Sequence, residues 1–286
     1  MNISIGNDEP ERYYEWIIWK NKQIKLRKKN MKVCVVGCGM VGSAVADFLD
    51  DYFHHEVIRI DPIKYKTKLE DVMHEVDCFI ICVNTPTVDN KCDDSNIRDV
   101  LQTLKGIEKP ILLKSTVTPD NMKEYDPNVV YCPEFIRQDY AAEDFLNQKD
   151  IIIGGDIPFA TDFWYDFWHD MFPNTNMHRT NRLTACMIKY VHNAWLATKV
   201  AWFHELSTIL PEGVEYDKLT EVLGGFENIG PSHMSIPNSA GKLGYGGACF
   251  PKDVQALLSI MNHSILTEVD ITNDYLMASS KASNTS

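Results

Sequence analysis

The chain has 286 residues, enough for one large or two ordinary domains with a sizeable core. Its 44% hydrophobic and 24% charged residues are those of an ordinary soluble globular protein. A formal net charge of −12 excludes broad, phosphate-neutralising contact with nucleic acid, though not the binding of a nucleotide through backbone amides.

No segment reaches the roughly 18 consecutive apolar residues of a membrane span, and the polar start does not read as a secretory signal. Cys34, Cys38, Cys78, Cys82, Cys92, Cys132, Cys186 and Cys249 show no zinc-ligand spacing, and most sit in aliphatic or aromatic runs. Such thiols behave as small apolar residues, so a reducing, cytoplasmic setting without a metal or a disulfide framework is expected.

Residues 1–30 pass from an acidic, aromatic stretch into a basic one and read as a solvated helical extension or an upstream start codon rather than an arm for nucleic acid or an anionic surface. From Met31 to about residue 180, short apolar runs recur at Lys32–Val36, Glu56–Ile60, Cys78–Val83, Ile111–Leu113, Val129–Tyr131 and Ile151–Ile153. They are separated by segments of helix or crossover length, such as Gly42–Tyr52 and Ser95–Lys105. This alternation predicts an α/β domain with a doubly wound parallel sheet. Residues 181–286 form a second, helical part. Arg182–Leu210, rich in Ala and free of Gly and Pro, predicts one long helix ending at Pro211. Further helices are expected at Asp217–Val222 and Val254–Asn262, a long loop over Gly224–Gly247, and a frayed end over Ala278–Ser286.

Gly37, Gly39 and Gly42 have GxGxxG spacing, after one predicted strand and at the start of a helix that Met40 and Val41 open. The first glycine permits the tight turn, the second lets backbone approach a pyrophosphate, and the third lets helix and strand pack closely. The helix start adds unpaired amides and a positive dipole end. Asp61 ends the next strand about 20 residues on, where an acid can bond ribose hydroxyls. An acid there repels a 2′-phosphate, so NAD is expected. VNTPT (Val83 to Thr87, with Thr85) and KSTVTP (with Ser115 and Thr116) end two further strands in hydroxyl side chains, where an open sheet binds ligands.

GYGGACFPKD (244–253) joins a side-chain-poor loop to Pro251, a residue suited to a first helical turn. Cys249 then lies at the helix N-terminus, beside Lys252 and Asp253, which favours a reactive thiol over an inert buried one. Lys189 and Asn193 are spaced i,i+4 and share one face of the long helix within an apolar stretch. A ligand could satisfy them, or the lysine could snorkel to the surface; His192 reads as a surface residue. Glu134, after the Val129–Tyr131 strand, is either a base or a surface acid.

The motifs GCGMVG, VNTPT, STV, PEFIR…AAEDF, MIKYVHNAWLATK and GYGGACFPKD, in this order, resemble the UDP-glucose/GDP-mannose dehydrogenase family over Met31 to about Leu258. The resemblance implies a four-electron oxidation of a sugar C6 alcohol to the carboxylate with two NAD in succession. It implies Cys249 as a covalent nucleophile that forms a thiohemiacetal and then a thioester. Lys189 would stabilise the oxyanion and Asn193 would hold the reacting hydroxyl. Thr116, Glu134 and Asp253 would position and activate water. Glu134, Phe135, Ile136 and Arg137, with Gly244, Tyr245, Gly246 and Gly247, would bind the nucleotide sugar. UDP-glucose is the expected substrate, with GDP-mannose or a UDP-aminosugar as alternatives, and a non-catalytic NAD-binding remnant as a third. A homodimer through helix 182–210 is also implied.

Three departures from the family stand out: only 33 residues follow Asp253, which reads as a compact form without the C-terminal nucleotide-binding domain. The stretch between Asp61 and Val83 is short, and Asn228-Ile229-Gly230 stands where an arginine is usual. Lys242 is the candidate replacement cation.

Overall fold

A computed structural model describes residues 30–282, apart from 89–90, 138–139, 239–240, 248 and 262–263. The expected N-terminal extension, bar its last residue, lies outside them. The chain divides into two compact units: Met1–Thr85 with Asp94–Met187, and Pro86–Asp93 with Ile188–Ser286.

The first unit is the expected α/β domain. Its strands are β1 (Lys32–Val36), β2 (Glu56–Ile60), β3 (Cys78–Ile81), β6 (Ile111–Leu113), β7 (Val129–Tyr131), β8 (Asp150–Gly154) and β9 (Asn176–Thr180). They form one sheet in the order β2-β1-β3-β6-β7-β8-β9. The chain leaves β1 for β2 on one side and returns to β3 on the other, so the strand order reverses between β1 and β3. In open α/β sheets the ligand crevice lies outside the carboxyl ends of the strands at that point. The sheet is not wholly parallel as expected: β7 and β8 pair antiparallel through Tyr131 and Gly154, while β8 and β9 pair in parallel. An antiparallel edge on a doubly wound sheet is common. β9 escapes the sequence pattern because the strand NMHRT has no fully buried residue, as an edge strand allows.

Alternation along the strands builds two cores. Val33 and Val35 join one cluster and Cys34 and Val36 the other, as period-two geometry requires. The first cluster is aromatic: Phe48 of α1 (Met40–Asp51) stacks on Phe172 at 4.8 Å, and Trp164 and Trp168 of α6 (Pro158–Met171) are fully buried. The remaining helices of this unit are α2 (Leu69–Val72), α3 (Ser95–Thr103), α4 (Pro119–Lys123) and α5 (Ala141–Leu146).

The second unit holds most of α7 (Arg182–Ile209), then α8 (Tyr216–Gly224), α9 (Phe250–Leu258) and α10 (Ile265–Ala282), with a small hairpin of β4 (Thr87–Val88) and β5 (Lys91–Cys92). α7 is one continuous helix, and its first turn is tied down by Arg182, whose side chain donates to Asp156 (2.6 Å) and to the Asp126 carbonyl (2.8 Å). α10 and the hairpin were not predicted. Ala278 and the four residues after it, expected to be frayed, lie within α10, while 283–286 lie outside the described residues. The mixed sequence of α10 gives a weak apolar stripe, with Leu266 and Leu276 as its buried leucines.

Gly42 tests the close approach of α1 to β1. A Cβ there would stand 1.9 Å from the Gly37 carbonyl oxygen. Gly42→Ala should therefore destabilise the first unit by about 1–3 kcal/mol, the cost of overpacking, read as a lower midpoint in urea denaturation.

Candidate active site

The first unit places the candidate dinucleotide-binding turn at the switch point. Gly37 takes φ +87°, a left-handed conformation that favours glycine, and a Cβ there would meet the Val83 amide at 2.6 Å. A Cβ on Gly39 would meet nothing within 4 Å, so the loop faces open space on that side. No side-chain hydrogen bond caps α1, which leaves its first-turn amides directed at that space.

Asp61 lies at the end of β2 and also braces the loop. Its Oδ2 accepts from the Cys38 amide (3.1 Å), and its Oδ1 accepts from the amides of Ile63 (3.0 Å) and Lys64 (3.2 Å). Lys64, which the sequence reading missed, donates its ammonium to the Cys38 carbonyl at 2.5 Å. Its position three residues after the strand-end acid was the available signal.

Beyond β3, Asn96 holds the turn by donating to the side-chain and main-chain oxygens of Asn84 (3.0 and 3.1 Å), next to Val83 and the buried Thr85. Beyond β6, the Ser115 hydroxyl is buried without a hydrogen-bond partner among the described residues. An orphaned hydroxyl at a strand's carboxyl end, next to half-buried Thr116, fits a polar cofactor bound there.

Glu134 is neither at the surface nor open. Its Oε2 lies 2.9 Å from the Lys114 ammonium, with side-chain exposures of 8% and 2%. Lys114 also donates to the Cys132 sulfur (3.3 Å) and lies 5.1 Å from the centre of the Trp168 ring. Burial lowers the Lys114 pKa, but Cys132 and Glu134 more than reverse this and raise it above the usual lysine value. Of the neighbouring turn, Phe135 and Ile136 pack against the two cores. Arg137 is engaged by Asp144, at 2.6 Å from its Nη2 and 2.7 Å from its amide, and stacks on Tyr140.

The second unit carries the thiol. Cys249 is exposed and is the N-cap of α9, with Pro251 in the first turn. One turn on, Asp253 is 1% exposed. Its Oδ2 accepts from the Asn193 amide nitrogen (2.6 Å) and its Oδ1 from the Lys252 ammonium (2.6 Å). Lys189 and Asn193 are both buried, 8% and 4% exposed, on one face of α7. His192 is exposed, with Nδ1 3.0 Å from Asn193 Oδ1.

Gly244 and Gly247 have left-handed φ of +83° and +78°, and a Cβ on Gly246 or Gly247 would meet nothing within 4 Å. Tyr245 turns inward: 2% exposed, it donates its hydroxyl to Asp270 (2.8 Å). Lys242 donates its amide to the Asn238 side-chain oxygen (3.0 Å), and its carbonyl accepts from the Asn238 amide (2.8 Å).

The first unit is a doubly wound α/β unit with a GxGxxG turn, and the second is helical with an exposed N-cap cysteine, a buried lysine and a buried carboxylate. The chain belongs to the UDP-glucose/GDP-mannose dehydrogenase family: the family's NAD-binding domain matches residues 62–164 and its central domain residues 183–278. It is similar to the UDP-glucose 6-dehydrogenase of Rickettsia prowazekii, 29% identical over 261 residues, which cover 86% of this chain and 57% of that protein. It is also similar to the UDP-glucose 6-dehydrogenase TuaD of Bacillus subtilis, 34% identical over 150 residues, or 52% of this chain and 31% of that one. The chain thus spans about half the length of the curated relatives it matches. A solved UDP-glucose dehydrogenase from Pyrobaculum islandicum shares the fold with a TM-score of 0.72 at 22% identity, covering 86% of this chain and 68% of that one.

The Lys114–Glu134 pair makes a stability prediction. Lys114→Met leaves a buried carboxylate without its cation and should cost about 3–5 kcal/mol. Adding Glu134→Gln should recover part of that loss, a coupling that urea melts of the two single variants and the double variant would measure.

Proposed function

We propose that this chain catalyses NAD-dependent oxidation of a nucleotide-sugar C6 alcohol to the carboxylate, with UDP-glucose as substrate. The observation that carries this reading is the arrangement of Cys249, Asp253, Asn193 and Lys189. Cys249 occupies the N-cap position of a helix whose next turn buries a carboxylate bonded to Asn193, one turn along α7 from Lys189. The family membership, and relatives named UDP-glucose 6-dehydrogenase, support the substrate.

NAD supplies a hydride acceptor for each of the two oxidations. The residues supply the rest. Asn193 holds the C6 hydroxyl. Cys249 adds to the C6 aldehyde, giving a thiohemiacetal whose oxygen Lys189 stabilises; its oxidation gives a thioester. Thr116, Glu134 and Asp253 hold and activate the water that releases the carboxylate and restores the thiol. The balance is one alcohol, two NAD⁺ and one water giving one carboxylate, two NADH and three protons. In the cradle, Gly37, Gly39, Met40, Val41, Gly42, Asp61, Val83, Thr85, Ser115 and Thr116 hold NAD. Glu134–Arg137, Lys242 and Gly244–Gly247 bind the nucleotide sugar.

The working form we propose is a homodimer through α7. Ile188, Trp195, Trp202 and Ile209 are all exposed, at 36%, 63%, 59% and 69%. They recur every seventh residue, with exposed Val191 beside them, and so form one apolar seam. The eight cysteines, none of them in a disulfide, support a reducing cytoplasmic setting. Among the described residues, no helix is long and apolar enough to cross a membrane.

Incubation with NAD and a panel of UDP- and GDP-sugars should give two NADH per UDP-glucose consumed. One NADH per sugar would indicate a simple two-electron dehydrogenase, and none across the panel a non-catalytic NAD-binding chain. Cys249→Ser should lower carboxylate release by at least about a thousandfold, roughly 4 kcal/mol of barrier; normal release from it would end the covalent mechanism. Trp195→Asp with Trp202→Asp should convert a dimer to a monomer in sedimentation equilibrium.

A further inference from the structure

The imidazole of His204, on α7, ties down the part of the loop nearest Cys249. His204 is 1% exposed and uses both ring nitrogens. Nε2 lies 2.9 Å from the Ser235 carbonyl oxygen, and Nδ1 lies 2.7 Å from the Gly244 amide nitrogen, which donates to it. A carbonyl only accepts and an amide N–H only donates. The ring must therefore carry its proton on Nε2 and leave Nδ1 bare: the neutral form, in one tautomer. A second proton on Nδ1 would face the Gly244 N–H, donor against donor, with no room to turn. Burial also disfavours that proton and lowers the His204 pKa.

Gly244 is the root of the glycine loop, two residues before the open backbone of Gly246. We propose that His204 is the positioning residue that sets the loop's affinity for the nucleotide sugar, and that its protonation unlatches Gly244 and weakens substrate binding in acid. The proposal rests on the reading that Gly244–Gly247 grip the substrate.

Other ionisable groups belong to the three elements that meet here. On α7, Lys199 donates to the carbonyls of Ile229 (2.8 Å) and Gly230 (2.9 Å), and Glu205 is exposed. On the loop are Lys242 and His233, whose ring lies 5.7 Å from that of Phe250. On α10, Asp270 accepts from Tyr245 and from Gln255 (2.6 Å), and Asp274 is exposed. Of all of these, His204 alone bonds the amide of Gly244. Its lowered folded pKa also gives the linkage sign. The unfolded chain takes up the proton first, so the stability this ring contributes is present above about pH 6.5 and is lost as pH falls below that value.

The test separates the latch from the grip. Wild type, His204→Asn and His204→Phe are assayed with NAD and UDP-glucose from about pH 7.5 to about pH 5.5, the range in which an imidazole titrates. In parallel, hydrogen exchange at the Gly244 amide, corrected for its intrinsic pH dependence, is followed without substrate. Asn places an oxygen where Nδ1 stands and does not titrate. Wild type should show a KM that rises about fivefold or more in acid, with a smaller change in kcat, and Gly244 protection that falls in parallel. His204→Asn should keep a near-neutral KM and protection across the range. His204→Phe should show the acid-like KM at every pH.

An acid rise in KM that survives in His204→Asn, or Gly244 protection in wild type that ignores pH, would overturn the latch. Protection that follows pH while KM does not would leave the latch standing and refute the loop's role in gripping substrate.

Discussion

The buried carboxylate of Asp253 is the constraint on which the thiol site depends. A charge at 1% exposure is tolerable only with donors on its oxygens. Here one oxygen takes Asn193 from α7 and the other takes Lys252 from its own helix, both at 2.6 Å. The first bond joins α9 to α7 and so fixes where the N-cap, Cys249, stands relative to Lys189 and Asn193. Asp253 thus has two offices: the water-handling role proposed for it, and the bracket that gives the Cys249 thiol an address. Lys114 and Glu134 follow the same logic in the other unit, where a paired lysine holds a carboxylate in an aromatic surround.

Most of the first unit was legible because its signals are local. A glycine spacing, a run of aliphatic residues and a strand-end acid each act within a few residues, and all of them fell where the pattern put them. β9 and the antiparallel β7–β8 pairing were not legible, since an edge strand such as NMHRT carries no apolar run and strand direction is set by the whole sheet. α10 was missed for a related reason: Asn273, buried in its middle, serves the loop rather than the core.

The candidate site residues could be named from the sequence, but their partners could not. Lys189, Asn193, Cys249 and Asp253 could be picked out, yet the Asn193–Asp253 bond spans 60 residues, and nothing in either segment announces the other. Glu134 was undecided between surface acid and base because its deciding neighbour, Lys114, belongs to another strand end. The bond from the Tyr245 hydroxyl to Asp270, 25 residues away, was likewise invisible in GYGG.

The stretch from Phe226 to Cys249, with no strand or helix among its described residues, shows how a long loop can still present a defined backbone. Buried backbone polar groups must find partners, and here side chains of the flanking helices supply them. Lys199 takes the carbonyls of Ile229 and Gly230, Tyr216 that of Met234, and His204 that of Ser235. The amides of Leu243, Gly244 and Tyr245 go in turn to Ser280, His204 and Asn273. Three consecutive amides answered by three side chains leave Gly244 little freedom, and its left-handed turn is fixed further because a Cβ there would collide with Asn273 at 2.5 Å. The open glycines that follow, Gly246 and Gly247, therefore start from a fixed point. Since the groups that fix it sit on α7 and α10, the shape offered to a ligand is written as much in those helices as in the loop's own glycines.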